Sequence, residues 1–315
     1  MLQFIKHTTV IPFMKIKGIV EVLCLALVIG SIVSMCTKGL NWGLDFTGGI
    51  VVETSYSNPI DLNVVKQEYA KHGIVGTTQH FGTNQDVLVR VAPKDGLDQQ
   101  IVTNKVMAAT KALDPSATLS RTEYVGPAVG EELVESGLIA IVVSLLAILI
   151  YIAFRFEWRM ATGAVISLAY DVIVVLGSFS VLQIEYDLTV LAAVLTVVGY
   201  SLNDKIVVFD RIRENASNLP RNTIMSRLFD VSLTQTLSRT IITSGTTLIT
   251  VICLMLFGGE MIYGFAFALF VGIVFGTISS IYVASTWALI LGIKRENLVP
   301  AKVEKKESDG YETMD

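Results

Sequence analysis

Six long apolar stretches constrain this chain more than any other feature, because each is long enough to cross a bilayer. A spanning helix needs about 20 mainly apolar residues. The stretches predict spans at 18–38, 133–154, 160–182, 188–209, 239–257 and 263–292. The composition agrees, since 52% of the 315 residues are hydrophobic, 17% are charged and the mean hydropathy is +0.60. We therefore predict a polytopic α-helical membrane protein with six transmembrane helices.

Charge and cysteine content exclude several other classes. A net charge of −4 argues against nucleic acid as a partner, and membrane lipid is the expected surroundings. Three cysteines are too few for a disulfide scaffold. The first stretch is longer than the apolar core of a signal peptide, and the segment around Cys36 is a poor cleavage site. We expect it to remain as an anchor.

The positions of the positive residues predict the orientation. More than half of the 24 Lys and Arg residues fall at the two ends, 1–17 and 293–315, and in the segments at 155–159 and 210–238. The short turns 183–187 and 258–262 have none. Because short loops rich in Lys and Arg stay in the cytoplasm, we expect both termini and the 210–238 loop to be cytoplasmic. Residues 39–132 should then be periplasmic.

Residues 39–132 have the pattern of a small α+β domain. A β-rich run at 50–54 is followed by a helix that Asp61 could cap, and a second helix is predicted at 97–113. Extended runs are predicted at 77–81, 86–91 and 118–125. The resulting βαββαβ order is that of a ferredoxin-like domain.

A glycine cluster precedes the first of these strands. Gly43, Asp45, Gly48 and Gly49 belong to the run GLDFTGG. Such clusters can hold phosphate, but this one lacks the Gly-Lys-Ser/Thr ending of a P-loop and leads into a strand. We interpret it as a tight turn into the periplasmic domain.

Ionisable side chains inside the spans are the strongest functional signal. A charged group in hydrocarbon costs at least about 2.5 to 3.5 kcal/mol, so each one suggests a functional site. Asp171 lies near the middle of the third span, and Asp204 lies about 24 Å from the outer edge of the fourth. Arg239 begins the fifth span. These three residues are the candidates for a proton relay.

We expect Asp204 and Arg239 to pair, because they lie at similar depth on consecutive spans. Burial favours the protonated carboxyl and a guanidinium favours the charged one, so the balance suits a proton carrier. A static ion pair that only holds two helices together is the alternative. Lys205 is expected to reach the cytoplasmic surface rather than to pair with Asp204.

Neighbouring polar groups extend the candidate relay. Asn203, Ser201 and Thr243 supply amide or hydroxyl groups near the two charges. Asp171 has an alternative interpretation as a hydrogen-bonded contact between helices. The chain has no histidine in a span and no clustered metal ligands, so we expect no metal and no cofactor other than the proton as coupling ion.

The sixth span has small residues at every fourth position. This ladder favours close approach to another helix, within the chain or in a partner. Its members are Gly264, Ala268, Gly272, Gly276, Ser280, Ala284, Ala288 and Gly292. The central three candidates for packing are Gly272, Gly276 and Ser280.

Several motifs together resemble the SecF family of bacterial protein-export subunits, which is part of the RND-like superfamily. They run in the family's order over about 39–295. They are GLNWGLDFTGG at 39–49, VGPAVG at 125–130, FRFEWR at 154–159, VGYSLND at 198–204, SLTQTL at 232–237 and RTIITSGTTL at 239–248. Where the family has a small or hydroxyl residue after the aspartate of the fourth span, this chain has Lys205.

The resemblance implies a function and partners. It implies a subunit of the bacterial inner membrane that pairs with SecD, works with the SecYEG translocon on preproteins in transit, and has YajC and YidC as further partners. It also implies that Asp204 and Arg239 conduct protons, so that the proton-motive force promotes export. The chain would then be a transport component without enzymatic activity.

Two other functions fit parts of the sequence. A proton-coupled RND-type exporter of small molecules or lipids is the main alternative, although its usual hallmark is two large outside domains on twelve spans. An intramembrane aspartyl protease would also place Tyr170, Asp171 and Asp204 on neighbouring spans. The second protease motif requires glycines that are absent from 201–204, which disfavours that interpretation.

Overall fold

The computed structural model describes residues 10–92 and 98–298, and within them six helices are long and apolar enough to cross a membrane. Their extents are Lys17–Lys38, Val129–Arg155, Trp158–Leu182, Leu188–Asn218, Met225–Phe257 and Met261–Ile290. The predicted class, a polytopic helical membrane protein, is confirmed. The predicted terminal segments 1–17 and 293–315 lie in part outside the described residues.

The elements follow one another from the first span to the last. In chain order they are a 3₁₀ turn at Phe13–Lys15, α1 Lys17–Lys38, β1 Asn41–Trp42, α2 Leu44–Thr47, β2 Gly49–Ser55, α3 Leu62–Lys71, β3 Gly76–Phe81, β4 Thr83–Val91, α4 Gln99–Leu113, β5 Thr118–Val125, α5 Pro127–Arg155, α6 Trp158–Leu182, β6 Glu185–Tyr186, α7 Leu188–Asn218, α8 Met225–Phe257, α9 Glu260–Ile281, α10 Val283–Ile290 and α11 Arg295–Leu298.

The segment 210–238, expected as a loop, is mostly helical. Helix α7 continues to Asn218 and α8 begins at Met225, so only 219–224 connect them. Both extensions bury apolar side chains, and Asn215 donates hydrogen bonds to Ser232 (2.9 Å) and Gln235 (2.8 Å) across the pair. Packing beyond the apolar stretch therefore extends the two helices.

The sixth span is divided near its end. Helix α9 ends at Ile281 and α10 begins at Val283, with Tyr282 between them. The ladder of small residues is divided with it. A Cβ on Gly272 would lie 2.2 Å from Val197 of α7, whereas Ala284 of α10 lies against Gly163 of α6, where a Cβ would be 2.5 Å from its carbonyl oxygen. The close packing is thus within the chain, first on α7 and then on α6.

Residues 49–125 form an antiparallel four-stranded sheet with two helices on one face. The strand order is β3-β4-β2-β5, and the chain order βαββαβ is the one that the sequence pattern indicated. Asp61 and Asp98 cap α3 and α4 by accepting from backbone N–H groups at 2.8 Å. Val52 and Val89 point to the helices and are fully buried with Val65 of α3.

Candidate functional site

A buried cluster of charged and polar side chains joins α6 and α7 within the membrane-spanning part. Asp171 on α6 has no exposed surface, and Lys205 on α7 is 1% exposed. The Lys205 Nζ donates to Asp171 Oδ2 at 3.0 Å, and the Ser201 hydroxyl donates to the same oxygen at 2.5 Å. Lys205 also contacts the Ser201 hydroxyl. The cluster is a buried ion pair held by a hydroxyl group.

The expectation that Lys205 reaches the cytoplasmic surface is wrong. Side chains on a helix lean toward its N-terminus, and the N-terminus of α7 is at the opposite end of the bundle from 210–218. The Lys205 side chain therefore extends one turn back, where the Ser201 carbonyl accepts from it at 3.4 Å. The nearest buried carboxylate in that direction is Asp171, which explains the pair.

Asp204 is buried, but it does not form the expected ion pair with Arg239. Its side chain is 3% exposed and faces Ser244 of α8. Among residues 10–92 and 98–298, no cationic nitrogen lies within 4.0 Å of its carboxylate. Thr240 and Ser244 form the face of α8 that turns inward, and Arg239 is rotated by about 100° from Thr240. The guanidinium therefore lies on the exposed side, close enough only for long-range attraction.

Two further relay candidates are not part of this cluster. Asn203 is exposed on the outward side of α7, whereas its neighbours Leu202 and Asp204 are buried. The Thr243 hydroxyl donates to carbonyl oxygens of its own helix, at Arg239 (3.0 Å) and Thr240 (3.1 Å). The structure therefore brings together Asp171, Ser201 and Lys205, with Asp204 on the adjacent position of the same helix.

Helix α9 closes the cluster on its third side. A Cβ on Gly276 would lie 3.0 Å from the Ser201 hydroxyl and 3.8 Å from Asp171 Oδ2. Glycine at this position lets the α9 backbone approach the polar atoms. The Ser280 hydroxyl, one turn further on, donates to the Gly276 carbonyl at 2.7 Å. Gly276 and Ser280 are therefore packing residues at the edge of the charged site.

The buried charges do not balance. This part of the bundle buries two carboxyl groups, on Asp171 and Asp204, and one amino group, on Lys205, which pairs with Asp171. Asp171 Oδ1 has no hydrogen-bond partner among the described residues. An uncompensated negative charge in a bilayer is costly, and one proton on either carboxyl removes it. The arrangement can therefore hold one exchangeable proton.

The glycine cluster forms a one-turn helix, α2, between two strands. Gly48 and Gly49 have φ of +64° and +118°, where side chains other than glycine are strained. A Cβ on Gly43 would lie 3.0 Å from the backbone of Asp187. The predicted change of direction occurs here, and the turn also rests against the segment between α6 and α7.

This turn joins the domain to the start of α7. The Asp45 carboxylate accepts from the Leu188 N–H at 3.0 Å, and the Gly43 N–H donates to the Tyr186 carbonyl at 2.8 Å. The short strands β1 and β6 pair in parallel beside it. Leu188 is the first residue of α7, and its N-cap residue is Asp187, which accepts from the Val190 N–H at 2.8 Å. Asp45 therefore binds a second N–H of the first turn of the helix that contains Asp204.

An ion pair joins the sheet to the same segment. Arg90 of β4 pairs with Glu185, which lies between α6 and α7. Burial raises the pKa of Glu185, Arg90 opposes this, and Asp187 and Asp45 add to it. No local pattern in the sequence indicates this pair, because Arg90 and Glu185 are 95 positions apart. The Lys205–Asp171 pair was not predicted either, although the leaning of helical side chains toward the N-terminus is a signal for it.

Two family models match the chain. One, described as protein export membrane protein SecD/SecF, C-terminal, matches residues 105–294. The other, the SecD/SecF GG motif, matches residues 33–60 and so includes the turn around α2. Together they cover the last five spanning helices, the end of the first one and the root of the domain.

Relatives and solved structures agree with these matches. The chain is 50% identical to the protein translocase subunit SecF of Vibrio alginolyticus, over 98% of each chain. It is 47% identical to that of Escherichia coli O157:H7, over 90% of this chain and 88% of the relative.

The solved structures are longer proteins. A crystal structure of SecDF from Thermus thermophilus, which is called a translocon-associated membrane protein, has a TM-score of 0.82 and 35% identity and matches 92% of this chain. A super-membrane-facing form of SecDF has a TM-score of 0.69. The chain spans 40% of each of those structures. On the family models and these relatives, this chain belongs to the SecF family of protein translocase subunits, within the SecD/SecF export membrane proteins.

Proposed function

We propose that this chain uses the proton-motive force to promote preprotein translocation across the bacterial cytoplasmic membrane. In this proposal it pairs with a SecD subunit and acts beside the SecYEG channel. The termini are cytoplasmic and residues 39–132 are periplasmic, as the positive residues predict. The translocase names of the relatives support a transport component rather than an enzyme.

One observation supports the coupling more than any other. Helix α7 contains Asp204 and Lys205, and its first residue, Leu188, is bound by Asp45 at the root of the sheet domain of residues 49–125, here named the outside domain. A change of charge in the cluster acts on a helix that holds the domain directly. Protonation and domain position are therefore linked through one rigid element.

The energy available from a proton is adequate for such a change. One elementary charge that crosses 100 mV releases about 2.3 kcal/mol. A two-state domain position with that difference shifts by about fiftyfold in its equilibrium constant. In the proposed step, Asp204 accepts a proton from the outside, which neutralises the surplus negative charge, and later releases it to the cytoplasm.

The residues of the site have different roles in this step. Asp204 carries the proton, while Lys205 pairs with Asp171 through the 3.0 Å contact. Ser201 fixes both partners and can pass a proton through its hydroxyl group. Arg239, on the exposed side of α8, favours release of the proton by attraction at longer range.

Replacement of Asp204 tests the proposal. The full chain with Asp204→Asn is assembled with its SecD partner and SecYEG, and preprotein transport is measured in vesicles with and without a proton-motive force. We expect nucleotide-driven transport to persist and the increment that depends on the proton-motive force to be lost. The matched control is Asp210→Asn, because Asp210 is on the same helix but is half exposed and pairs with Arg155 at 2.6 Å.

If the transport that depends on the proton-motive force were unchanged in the Asp204→Asn complex, Asp204 would be excluded as the proton carrier.

A second variant tests the link between α7 and the domain. Asp45→Ala removes the acceptor of the Leu188 N–H, while the N-cap residue Asp187 keeps its bond to the Val190 N–H. We expect it to reduce stimulation of transport while the complex still takes up protons, and normal stimulation would show that this contact does not transmit the change.

A further inference from the structure

An apolar groove of about 570 Å³ lies between α1, α6 and α10 on the lipid-facing side of the bundle. Most of its walls are aliphatic side chains such as Leu25, Ile166 and Ile173. Its volume is within the range of about 300 to 1,000 Å³ that is usual for ligand sites. The groove is separate from the charged cluster and from the outside domain.

The groove extends through only one half of the bilayer. Along α1 it runs from Gly18 to Val28, which is about 15 Å of helix. Beyond that point α1 and α6 are in direct contact: a Cβ on Gly177 would lie 2.2 Å from Ser31, and the Ser34 and Ser180 hydroxyls are 2.9 Å apart. This contact closes the groove near the middle of a hydrocarbon core of about 30 Å. Its length is that of one lipid leaflet, the one opposite the outside domain.

The Tyr170 hydroxyl is a polar group in the otherwise apolar wall of the groove. Tyr170 is 5% exposed, and among the described residues its hydroxyl has no hydrogen-bond partner, although the Cys24 thiol is next to it. A buried hydroxyl without an acceptor costs free energy, so a ligand that accepts from it would bind favourably. Because helical side chains lean toward the N-terminus, this hydroxyl leans toward the mouth of the groove.

The mouth of the groove has one negative and one positive side chain. Glu21 is part of the wall, and Lys17 lies one helical turn before it, within electrostatic reach. In the described ranges no cationic nitrogen lies within 4.0 Å of the Glu21 carboxylate. A ligand head group with a cation and an anion side by side would complement both.

We propose that this groove binds one phospholipid with a zwitterionic ethanolamine head group. An acyl chain fills the apolar part up to the contact of Ser31 with Gly177. The ammonium of the head group pairs with Glu21, its phosphate lies near Lys17, and an ester carbonyl accepts from Tyr170. A transmembrane helix of a partner does not fit as well, because the groove ends halfway across the membrane.

Trp287 lines the groove and reports on its occupant. In the full chain with Trp42→Phe and Trp158→Phe, Trp287 is the one remaining tryptophan of three. The chain is purified in detergent and titrated with phosphatidylethanolamine or phosphatidylglycerol that is brominated on the acyl chain. We expect phosphatidylethanolamine to quench Trp287 and to saturate near one lipid per chain, whereas phosphatidylglycerol requires roughly tenfold more lipid.

Two variants separate this site from general lipid contact. Ala169→Phe fills the groove and should abolish the saturable quenching, while Ala26→Phe, an exposed position of α1 outside the groove, should leave it unchanged. Glu21→Gln should remove the preference between the two lipids. The titration is repeated with the SecD-bound complex, where the same quenching is expected.

Equal quenching by both lipids in the parent chain would overturn the proposal. So would saturable quenching that survives Ala169→Phe. Loss of quenching in the SecD-bound complex would show that the partner occupies the groove, which also contradicts a lipid site.

Discussion

At the scale of single residues, the direction of a helical side chain decides the chemistry of the charged site. Lys205 and Asp204 are adjacent in sequence, yet they face different helices: Lys205 turns to Asp171 on α6 and Asp204 to Ser244 on α8. Consecutive residues of a helix point about 100° apart. Span four therefore presents its two charges to two separate neighbours.

The buried pair gives a first prediction. Lys205→Met leaves the Asp171 carboxylate without its partner at zero exposure, and loss of one member of a buried pair costs about 3 to 5 kcal/mol. We expect a clear decrease in the thermal midpoint of the purified chain. The double variant Lys205→Met with Asp171→Asn should recover most of it, because neither charge then remains buried.

The control for this prediction is an exposed pair. Lys71 pairs with Glu68 at 2.7 Å, but its side chain is 69% exposed. Lys71→Met should change stability by less than about 1 kcal/mol. If Lys205→Met had an equally small effect, or if the double variant were as unstable as the single one, the pair would not be the source of stability.

Gly49 gives a second prediction at the same scale. Its φ of +118° is accessible to glycine and strained for alanine, at a cost of about 1 to 3 kcal/mol. We expect Gly49→Ala to lower the resistance of the outside domain to pulse proteolysis by that amount. Gly126→Ala is the matched control, because Gly126 has φ of −66° and a Cβ there would be 3.6 Å from the Tyr124 hydroxyl. Equal resistance of the two variants would contradict the strain.

At the scale of elements, α7 is fixed by close backbone contact with α9. Gly272 and Gly276 face Val197 and Ser201, which are four residues apart on α7. Small residues at this spacing let two helices approach closely. The same contact that packs the helices also brings α9 against the polar atoms of the charged site.

A third prediction follows from the Gly272 contact. Gly272→Ala places a methyl group 2.2 Å from Val197 Cγ2, so one helix must shift. Overpacking of this kind costs about 1 to 3 kcal/mol. We expect a lower thermal midpoint, and Val197→Ala in the same chain should recover part of the loss.

Gly199→Ala is the control for this prediction, since no atom lies within 4 Å of a Cβ at that position of α7. It should leave stability unchanged or raise it slightly, because alanine is the better helix former. A loss in Gly199→Ala as large as that in Gly272→Ala would assign the effect to glycine itself rather than to the contact.

At the scale of the whole molecule, the sheet domain of residues 49–125 and the membrane helices meet at the segment between α6 and α7. The contact consists of Asp45 at the Leu188 N–H, the paired strands β1 and β6, and the Arg90–Glu185 ion pair. Because Glu185 is partly buried among Asp45 and Asp187, its charge is disfavoured there despite Arg90. The contact is therefore sensitive to pH.

The sign of this dependence gives a fourth prediction. The pKa of Glu185 is raised from its ordinary value of 4.5 by burial, so the folded contact binds a proton more tightly than the unfolded chain does. Its contribution to stability is present below about pH 4.5 and is lost as the pH rises through the raised pKa. Relative to Glu185→Gln, the wild-type chain should lose thermal stability as the pH rises.

The difference in thermal stability between wild type and Glu185→Gln is measured from pH 4.5 to pH 8. Because both chains contain the other titrating groups, the contributions of those groups cancel. Glu214→Gln is the control, since Glu214 lies on the extension of α7 and contacts Arg211 rather than the domain. A difference that does not vary with pH, or a wild-type chain that gains stability relative to Glu185→Gln as the pH rises, would refute the assignment to Glu185.

Much of the architecture was predictable because its signals are local. Apolar length determines a span, Asp61 and Asp98 begin helices by capping them, and alternation determines the strands of the sheet. The position of each charge along a span also follows from counting residues. In this way the sequence by itself determined the six helices, the order of the domain and the depth of Asp171 and Asp204.

Only the tertiary structure decided which groups meet. Whether Asp204 or Asp171 pairs with a cation depends on how each helix is rotated about its axis, and that rotation is set by contacts such as Gly272 with Val197. The same holds for Arg90 with Glu185 and for the groove beneath Ser31. Such contacts join residues that are far apart in the chain, so no local pattern contains them, and packing of the whole molecule selects the partners.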